Sequence, residues 1–362
     1  DILPGSHIHP VYEDAMNDYR SVSERLDAML ALTAGNEYFN SLNFTRSSIT
    51  FIEDENGSIT RHGVKGFWSI PTLAGLSTGT VAALPSKENW LSTEFCDKCD
   101  CLVVETPYYR AKLSSDGSFV NLYDKELDRE WVKEGCGFNK LHLYADNPGV
   151  YDAWDILPNY KDVQVALNVD KPLALVSSDG SSAEFAVTFT TEKSTWKMIL
   201  RFFADSRAIE VENVVDWDEK HKLVKVNFGP DVLTRELVCD TSAGFVKRDL
   251  TKNTSWQQAR FECCHHKWCD LSETDGGVAI LNDGKYGVGF LENQISLSLL
   301  RSPIRPDVTA DMGHHSFCYR IVPHAGDPVQ AGINRRALQF NQPPIKSDVA
   351  YNGTDFAPLY LQ

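Results

Sequence analysis

Two acids flank a tryptophan at Asp152-Ala153-Trp154-Asp155, a spacing suited to sugar recognition. An indole face can stack on a pyranose ring while carboxylates accept its hydroxyls. The same four residues also suit a tryptophan packed at a strand end. Hydrolysis of a glycoside with retention needs a second feature, two carboxylates about 5 Å apart. Asp152, Asp155, Asp216 and Asp218 are candidates, and the sequence alone does not bring any two together. Two cysteine groups invite a metal: Cys96-x-x-Cys99-x-Cys101, and the run Cys263-Cys264-His265-His266-Lys267-Trp268-Cys269. Thiolates and imidazoles at such spacings bind zinc tetrahedrally. Neighbouring residues of a strand point to opposite faces, however, so Cys263 and Cys264 cannot easily share one ion. The expectation is therefore ordinary thiols and no metal site. His221 and the pair His314-His315 read as hydrogen-bonded structural residues. The sequence has no glycine-rich phosphate loop, Gly-x-Ser-x-Gly elbow or His-Glu-x-x-His helix.

The elements that must position these groups are mostly strands. One helical pattern appears, with apolar residues at Val11, Ala15, Tyr19, Val22, Leu26, Met29 and Leu30 forming a single stripe. Pro10 suits its first turn and Gly35 its end. No partner helix follows, so the stripe is expected to belong to a helical bundle completed elsewhere. From Tyr38 onward, short runs rich in Val, Ile, Phe, Tyr and Thr alternate with turns such as Asp116-Gly117, Asp179-Gly180 and Asp283-Gly284. Runs at 102–104, 108–113, 119–122, 184–190, 196–203, 208–215, 223–228, 277–281, 295–300 and 317–322 predict a large antiparallel sandwich. Residues 38–85 read as a smaller β unit, Ser86 to Cys101 as a charged linker, and the segment after Leu338 as a Pro- and Asn-rich tail running toward a further domain or the true end.

Composition narrows the partners. The 362 residues carry 35 basic and 50 acidic side chains, a formal charge of −15, with no basic cluster. That excludes nucleic acid and anionic membrane surfaces as main partners, since both demand concentrated positive charge. No apolar run approaches the roughly 18 residues a spanning helix needs. Nine cysteines, an odd number, predict reduced thiols. Sequons at Asn43, Asn56, Asn253 and Asn352 move the choice of compartment little.

Several ordered motifs together resemble glycoside hydrolase family 38, the α-mannosidases, over nearly the whole chain. Asp1-Ile-Leu-Pro-Gly-Ser6, followed by Val11-Tyr-Glu-Asp14 and Tyr19, is similar to the segment that ends that family's catalytic region and opens its helical bundle. Tyr108-Tyr109-Arg110, Asp116-Gly117 and Leu122-Tyr-Asp-Lys125 resemble the opening of its sandwich. Asp152-Ala-Trp-Asp155, His221-Lys-Leu-Val-Lys-Val226, Asn253-Thr-Ser-Trp256 and Ala259-Arg-Phe-Glu262 follow in order. His266-Lys-Trp268, Asp270-Leu-Ser-Glu273, Leu281-Asn-Asp283, Lys285-Tyr-Gly287, Leu299-Leu-Arg-Ser-Pro303, Pro306-Asp307 and Pro323-His324 complete the series.

The resemblance implies a mainly β fold. It would be a large antiparallel β-sandwich of the galactose mutarotase-like kind, preceded by a small β unit and one helix of a helical bundle. The implied division is 1–36 for the end of the catalytic region and the bundle helix, 37–100 for the small β domain and linker, 101–345 for the sandwich, and 346–362 for a tail. The implied activity is that of a retaining α-mannosidase acting on α-mannose-containing oligosaccharides. Its zinc, nucleophile and acid/base would lie upstream, which makes the chain inactive alone and assigns it no catalytic residue. The family's metal-binding His would immediately precede Asp1, and Asp1 matches the carboxylate beside it that faces the sugar. Asp152, Trp154, Asp155 and Arg260 are expected to line the interface with the upstream catalytic domain. The cysteines at 263, 264 and 269 stand where the family carries small or apolar residues. The pattern is closest to the cytosolic and vacuolar branch, and a homo-oligomer is expected. A stand-alone carbohydrate-binding module and a mutarotase-like enzyme are the competing readings.

Overall fold

The structure is a computed structural model that describes residues 7–32, 35–291 and 294–347. Asp1 and most of the expected tail lie outside the described residues. The described residues fall into two compact units, one of residues 7–9 and 86–334, the other of residues 10–85 and 335–347.

The larger unit is built from three antiparallel sheets. A nine-stranded sheet runs in the spatial order Asn168–Ser178, Ser182–Thr190, Thr195–Phe203, Ile209–Trp217, Gly313–Ala325, Gly276–Asn282, Trp268–Ser272, Glu236–Thr241 and Gly244–Asp249. A six-stranded sheet runs Gln164–Val165, Phe138–Ala145, Lys222–Phe228, Gln294–Arg301, Gly287–Leu291 and Glu262–Cys264. A five-stranded sheet, 92–130, completes the unit. Its first strand, Ser92–Cys96, lies in the span read from sequence as linker. Trp90 is buried there and donates from its indole nitrogen to the Asp179 carbonyl at 2.9 Å, which ties that span to the sandwich.

Alternation explains which faces meet. Phe138, Leu141 and Leu143 on one strand, Val224, Val226 and Phe228 on the next, and Ile295 and Leu297 on the third point into a shared interior. From the nine-stranded sheet come Phe185, Val187, Trp196, Met198, Leu200, Phe202, Val211, Ile280, Tyr319 and Ile321. Edge-to-face rings run from ladder to layer: Phe138 meets its ladder partner Phe228 at 5.6 Å, and Phe228 meets Tyr319 of the other sheet at 5.7 Å. Tyr319 also donates its hydroxyl to Asn139, which stands at a bulge with φ of +59°. Gly117, with φ of +76°, is required twice over, because a Cβ there would come within 2.8 Å of Met198. The large antiparallel β-sandwich expected from the alternation is thus the observed architecture.

Both sheets carry polar groups on their outer faces that are nevertheless buried. On the nine-stranded sheet, Arg201 lies between Glu184, Glu210 and Glu212, while Arg320 binds Glu210 at 2.8 Å. A buried cation so surrounded has its desolvation offset by several partners.

The smaller unit has two three-stranded sheets, one of Thr50–Glu53, Val64–Ser69 and Ile59–Arg61, the other of Tyr38–Phe39, Thr78–Gly79 and Ile345–Lys346. The described segment after Leu338 belongs to this unit. It finishes the helix Ile333–Asn341, whose Gln339 side chain accepts from the Ser47 and Ser48 amides, and then pairs with Tyr38–Phe39. The helix His9–Ala31 forms where the apolar stripe predicts it, with Pro10 in its first turn and no residue buried.

His265 illustrates the acid sensitivity built into this fold. Its ring is fully buried, Nε2 lies 2.9 Å from the Asn282 amide nitrogen, and Nδ1 has no partner. The Asn282 oxygen accepts from the Gly284 and Lys285 amides, which fixes the side-chain orientation and makes Nε2 the acceptor. Burial, aided by His266 and Arg248, lowers the imidazole from 6.5 to about 3. The unfolded chain then binds more protons than the folded one between these values, so stability is complete above about 6.5 and declines as pH falls toward 3. Urea unfolding is expected to lose up to about 1.4 kcal/mol per pH unit in that window on account of this group. His265→Asn is expected to flatten the slope by that amount, and an unchanged slope would remove His265 as its source.

Candidate functional site

The outer face of the six-stranded sheet concentrates the polar groups. Lys225 and Asn227 alternate with the inward Val224, Val226 and Phe228. Lys225 has no exposed surface, and its ammonium lies 2.8 and 2.9 Å from the two Glu262 oxygens and 2.8 Å from Ser298 Oγ. Tyr160 donates its hydroxyl to Glu262 at 2.9 Å, with its ring 5.5 Å from the same ammonium. Glu262 can reach across because its ladder partner is Gly289, where a Cβ would come within 2.2 Å of the Glu262 oxygen. Ser296 donates to Asn227 at 2.7 Å beside them.

The electrostatics follow from that burial. Desolvation lowers the Lys225 pKa, and the Glu262 charge and hydrogen bonds oppose it. The Tyr160 phenol is pushed far up, first by burial and then by Glu262. Burial also lowers His142, which stacks on Tyr144 with ring centres 5.8 Å apart. Three donors on Lys225 have three acceptors, which makes this a closed network that fixes positions. Among the described residues of this face, Glu262 is the carboxylate, so no glycosidase-type acid pair stands here.

At the edge of this face, Tyr144, Tyr160 and Leu223 form a small apolar cluster, with Ile156 and Phe261 packed against it. The cluster brings two sequence candidates toward one place, since Asp155 precedes Ile156 and Arg260 precedes Phe261. Arg260 ends the short helix Ser255–Ala259, which is started by a capping box between Thr254 and Gln257. Both Asp155 and Arg260 are exposed, and Trp154 is 66% exposed beside the equally open Tyr151.

Asp152 is placed differently from its neighbours. Only 1% of it is exposed, and its oxygens accept from the Ile304 and Arg305 amides at 2.7 and 2.9 Å. His221 Nε2 stands 3.3 Å away without forming a hydrogen bond. The carboxylate expected to meet sugar hydroxyls thus clamps two loops together instead. Arg301, which the sequence reading passed over as a site residue, completes the clamp by binding the Asp146 carboxylate and the carbonyls of Asp152 and Asp155. Its only sequence signal was membership of the Leu299-Leu-Arg-Ser-Pro303 motif. Asp216, another candidate acid, is exposed and paired with His314 at 2.8 Å. His315 Nε2 lies 2.7 Å from the Asp311 carbonyl.

The cysteine runs separate. Cys263 packs against the interior and Cys264 is exposed, as opposite faces of a strand require, while Cys239 and Cys269 are fully buried ladder partners. Against the expectation of reduced thiols, Cys99 and Cys101 are joined by a disulfide. Among the described residues, no group of imidazoles and carboxylates converges on one point of the six-stranded face.

Comparison with known proteins places this arrangement. Residues 104–309 match the glycosyl hydrolases family 38 C-terminal domain. The chain belongs to that family. Alpha-mannosidase 2C1 of Mus musculus is 29% identical over 361 residues, covering 95% of this chain and 34% of its own length. An alpha-mannosidase of Saccharomyces cerevisiae is 37% identical over 246 residues, 64% of this chain and 22% of its own. An alpha-mannosidase structure from Enterococcus faecalis has the same fold, with a TM-score of 0.66 at 10% identity over 92% of this chain and 49% of that one. The family 38 chain described here therefore spans about a third of the length of the 2C1 relative.

The clamp yields a test. Asp152→Ala leaves two part-buried amides without acceptors, at a cost of about 2 kcal/mol in urea unfolding, and speeds amide exchange across 146–159. Trp154→Ala is expected to stay within about 0.5 kcal/mol of the parent. Equal effects from the two variants would contradict the assigned roles.

Proposed function

We propose that this chain is the non-catalytic C-terminal part of a retaining α-mannosidase that removes terminal α-linked mannose from oligosaccharides. Its hydrolysis would depend on an upstream domain carrying zinc, the nucleophile and the acid/base. The observation that carries this reading is the family match joined to relatives about three times as long, each called an alpha-mannosidase. The uncovered stripe of Val11, Tyr19, Val22, Leu26 and Met29 supports it, because such a helix is stabilised by packing on others.

In this reading Trp154, Asp155 and Arg260 face the upstream domain and the sugar, and Asp152 with Arg301 holds the loop that presents them. Asp1 would contribute from the chain's start. A buried Lys225–Glu262 network keeps the platform rigid, and the open aromatic residues exclude water where the two parts meet. No reacting atom is assigned to the described side chains. A cytosolic or vacuolar setting and a homo-oligomeric enzyme belong to the same proposal, by analogy with the family.

The test is hydrolysis of an aryl α-mannoside, with zinc present, by this chain alone and after co-expression with the upstream polypeptide of its parent protein. The expected result is no turnover alone and turnover from the pair. Turnover by the isolated chain would overturn the assignment.

A further inference from the structure

The strands Ser92–Cys96 and Cys101–Glu105 form a hairpin closed by Asp97-Lys98-Cys99-Asp100. Cys96 and Cys101 are direct partners across this ladder, so their side chains leave the sheet on the same side. Inside the loop the chain turns back on itself. The Cys99 amide lies 3.3 Å from the Cys96 carbonyl, and Asp100 takes a φ of +48°, the left-handed conformation. As a result the three sulfurs all lie within 4.8 Å of one another. Zinc–thiolate bonds of about 2.3 Å in a tetrahedron set sulfurs roughly 3.8 Å apart, so small side-chain rotations close this triangle on one ion.

The surroundings suit a cation. Cys101 is buried and forms a floor, Cys96 is half-buried, and Cys99 is exposed and leaves an opening. Asp97 and Asp100 add exposed negative charge to the mouth, against Lys98 alone.

We propose that this hairpin is a redox-gated soft-metal site, in which reduced Cys96, Cys99 and Cys101 bind one zinc ion as thiolates with the fourth position open to water. The Cys99–Cys101 disulfide of the structure is its closed state, because it removes two of three ligands. A dithiol opens it by giving two electrons and two protons to the sulfur–sulfur bond and leaving as its own disulfide. Three protons then pass to solvent as three zinc–sulfur bonds form. A small-molecule disulfide reverses the process by accepting the two electrons, and zinc is released. The site does not depend on the mannosidase reading.

Cobalt(II) is the probe. The full 362-residue chain is reduced with a phosphine, freed of reductant without air, and titrated. The expected result is the visible and near-ultraviolet bands of tetrahedral cobalt–thiolate, saturating at one equivalent and bleached by zinc. Oxidised dithiol abolishes them, and so do Cys99→Ser and Cys96→Ser. In the unmutated chain, zinc is expected to protect all three hairpin cysteines from alkylation, read by mass on peptides spanning 92–105. A reduced chain that shows no thiolate bands overturns the proposal. So does protection mapped to other cysteines, or a spectrum that survives both substitutions.

Discussion

The candidate site depends on one buried contact, the ammonium of Lys225 against the carboxylate of Glu262. Lys225 sits on a central strand and Glu262 on a three-residue edge strand that, among the described residues, pairs with Gly287–Leu291 alone. So short an edge has few ladder bonds of its own, and the ion pair fastens it to the sheet centre. Tyr160 joins through Glu262 and brings the connecting segment after Asp146 onto the same face. Ile156 and Phe261 then settle on Tyr144 and Tyr160, and Asp155 and Arg260 stand beside them. Burying either charge alone costs several kcal/mol, so each residue holds the other in place.

This arrangement separates groups that hold the loops from groups that stand open. Groups with satisfied hydrogen bonds, buried Lys225 and Asp152 and half-buried Glu262 and Arg301, determine where the loops run. Groups with open surface, Trp154, Tyr151, Asp155 and Arg260, lie outside. Membership of family 38 accounts for the scaffold, and the described residues of the six-stranded face carry no acid pair.

Much of the fold is legible because apolar and polar residue types alternate along its strands. The runs at 196–203 and 223–228 fall within strands Thr195–Phe203 and Lys222–Phe228. Asn168–Ser178 was not singled out, since an edge strand with almost every side chain exposed has no apolar rhythm to read. The span 86–101 looked like a linker because its charges and cysteines hide a hairpin whose outward side is wet. Its disulfide was equally hidden, because pairing depends on the turn at Asp100 and not on the number of cysteines. At the candidate site, residue types draw attention to one loop and do not reveal how its atoms are arranged. The sequence shows Asp152, Trp154 and Asp155 as one motif, whereas backbone geometry turns Asp152 inward to the 304–305 amides and leaves the others outside. Lys225 and Glu262 lie far apart in sequence, and only strand order brings them together.

The most direct test is a double-mutant cycle on that pair, with Lys225→Met, Glu262→Gln and both together followed by urea unfolding. The account predicts that Lys225→Met costs about 3 kcal/mol and that the double variant costs clearly less than the sum of the two single ones. Single losses below about 0.5 kcal/mol that simply add would contradict it, because the edge strand and its loop would then be held by something else.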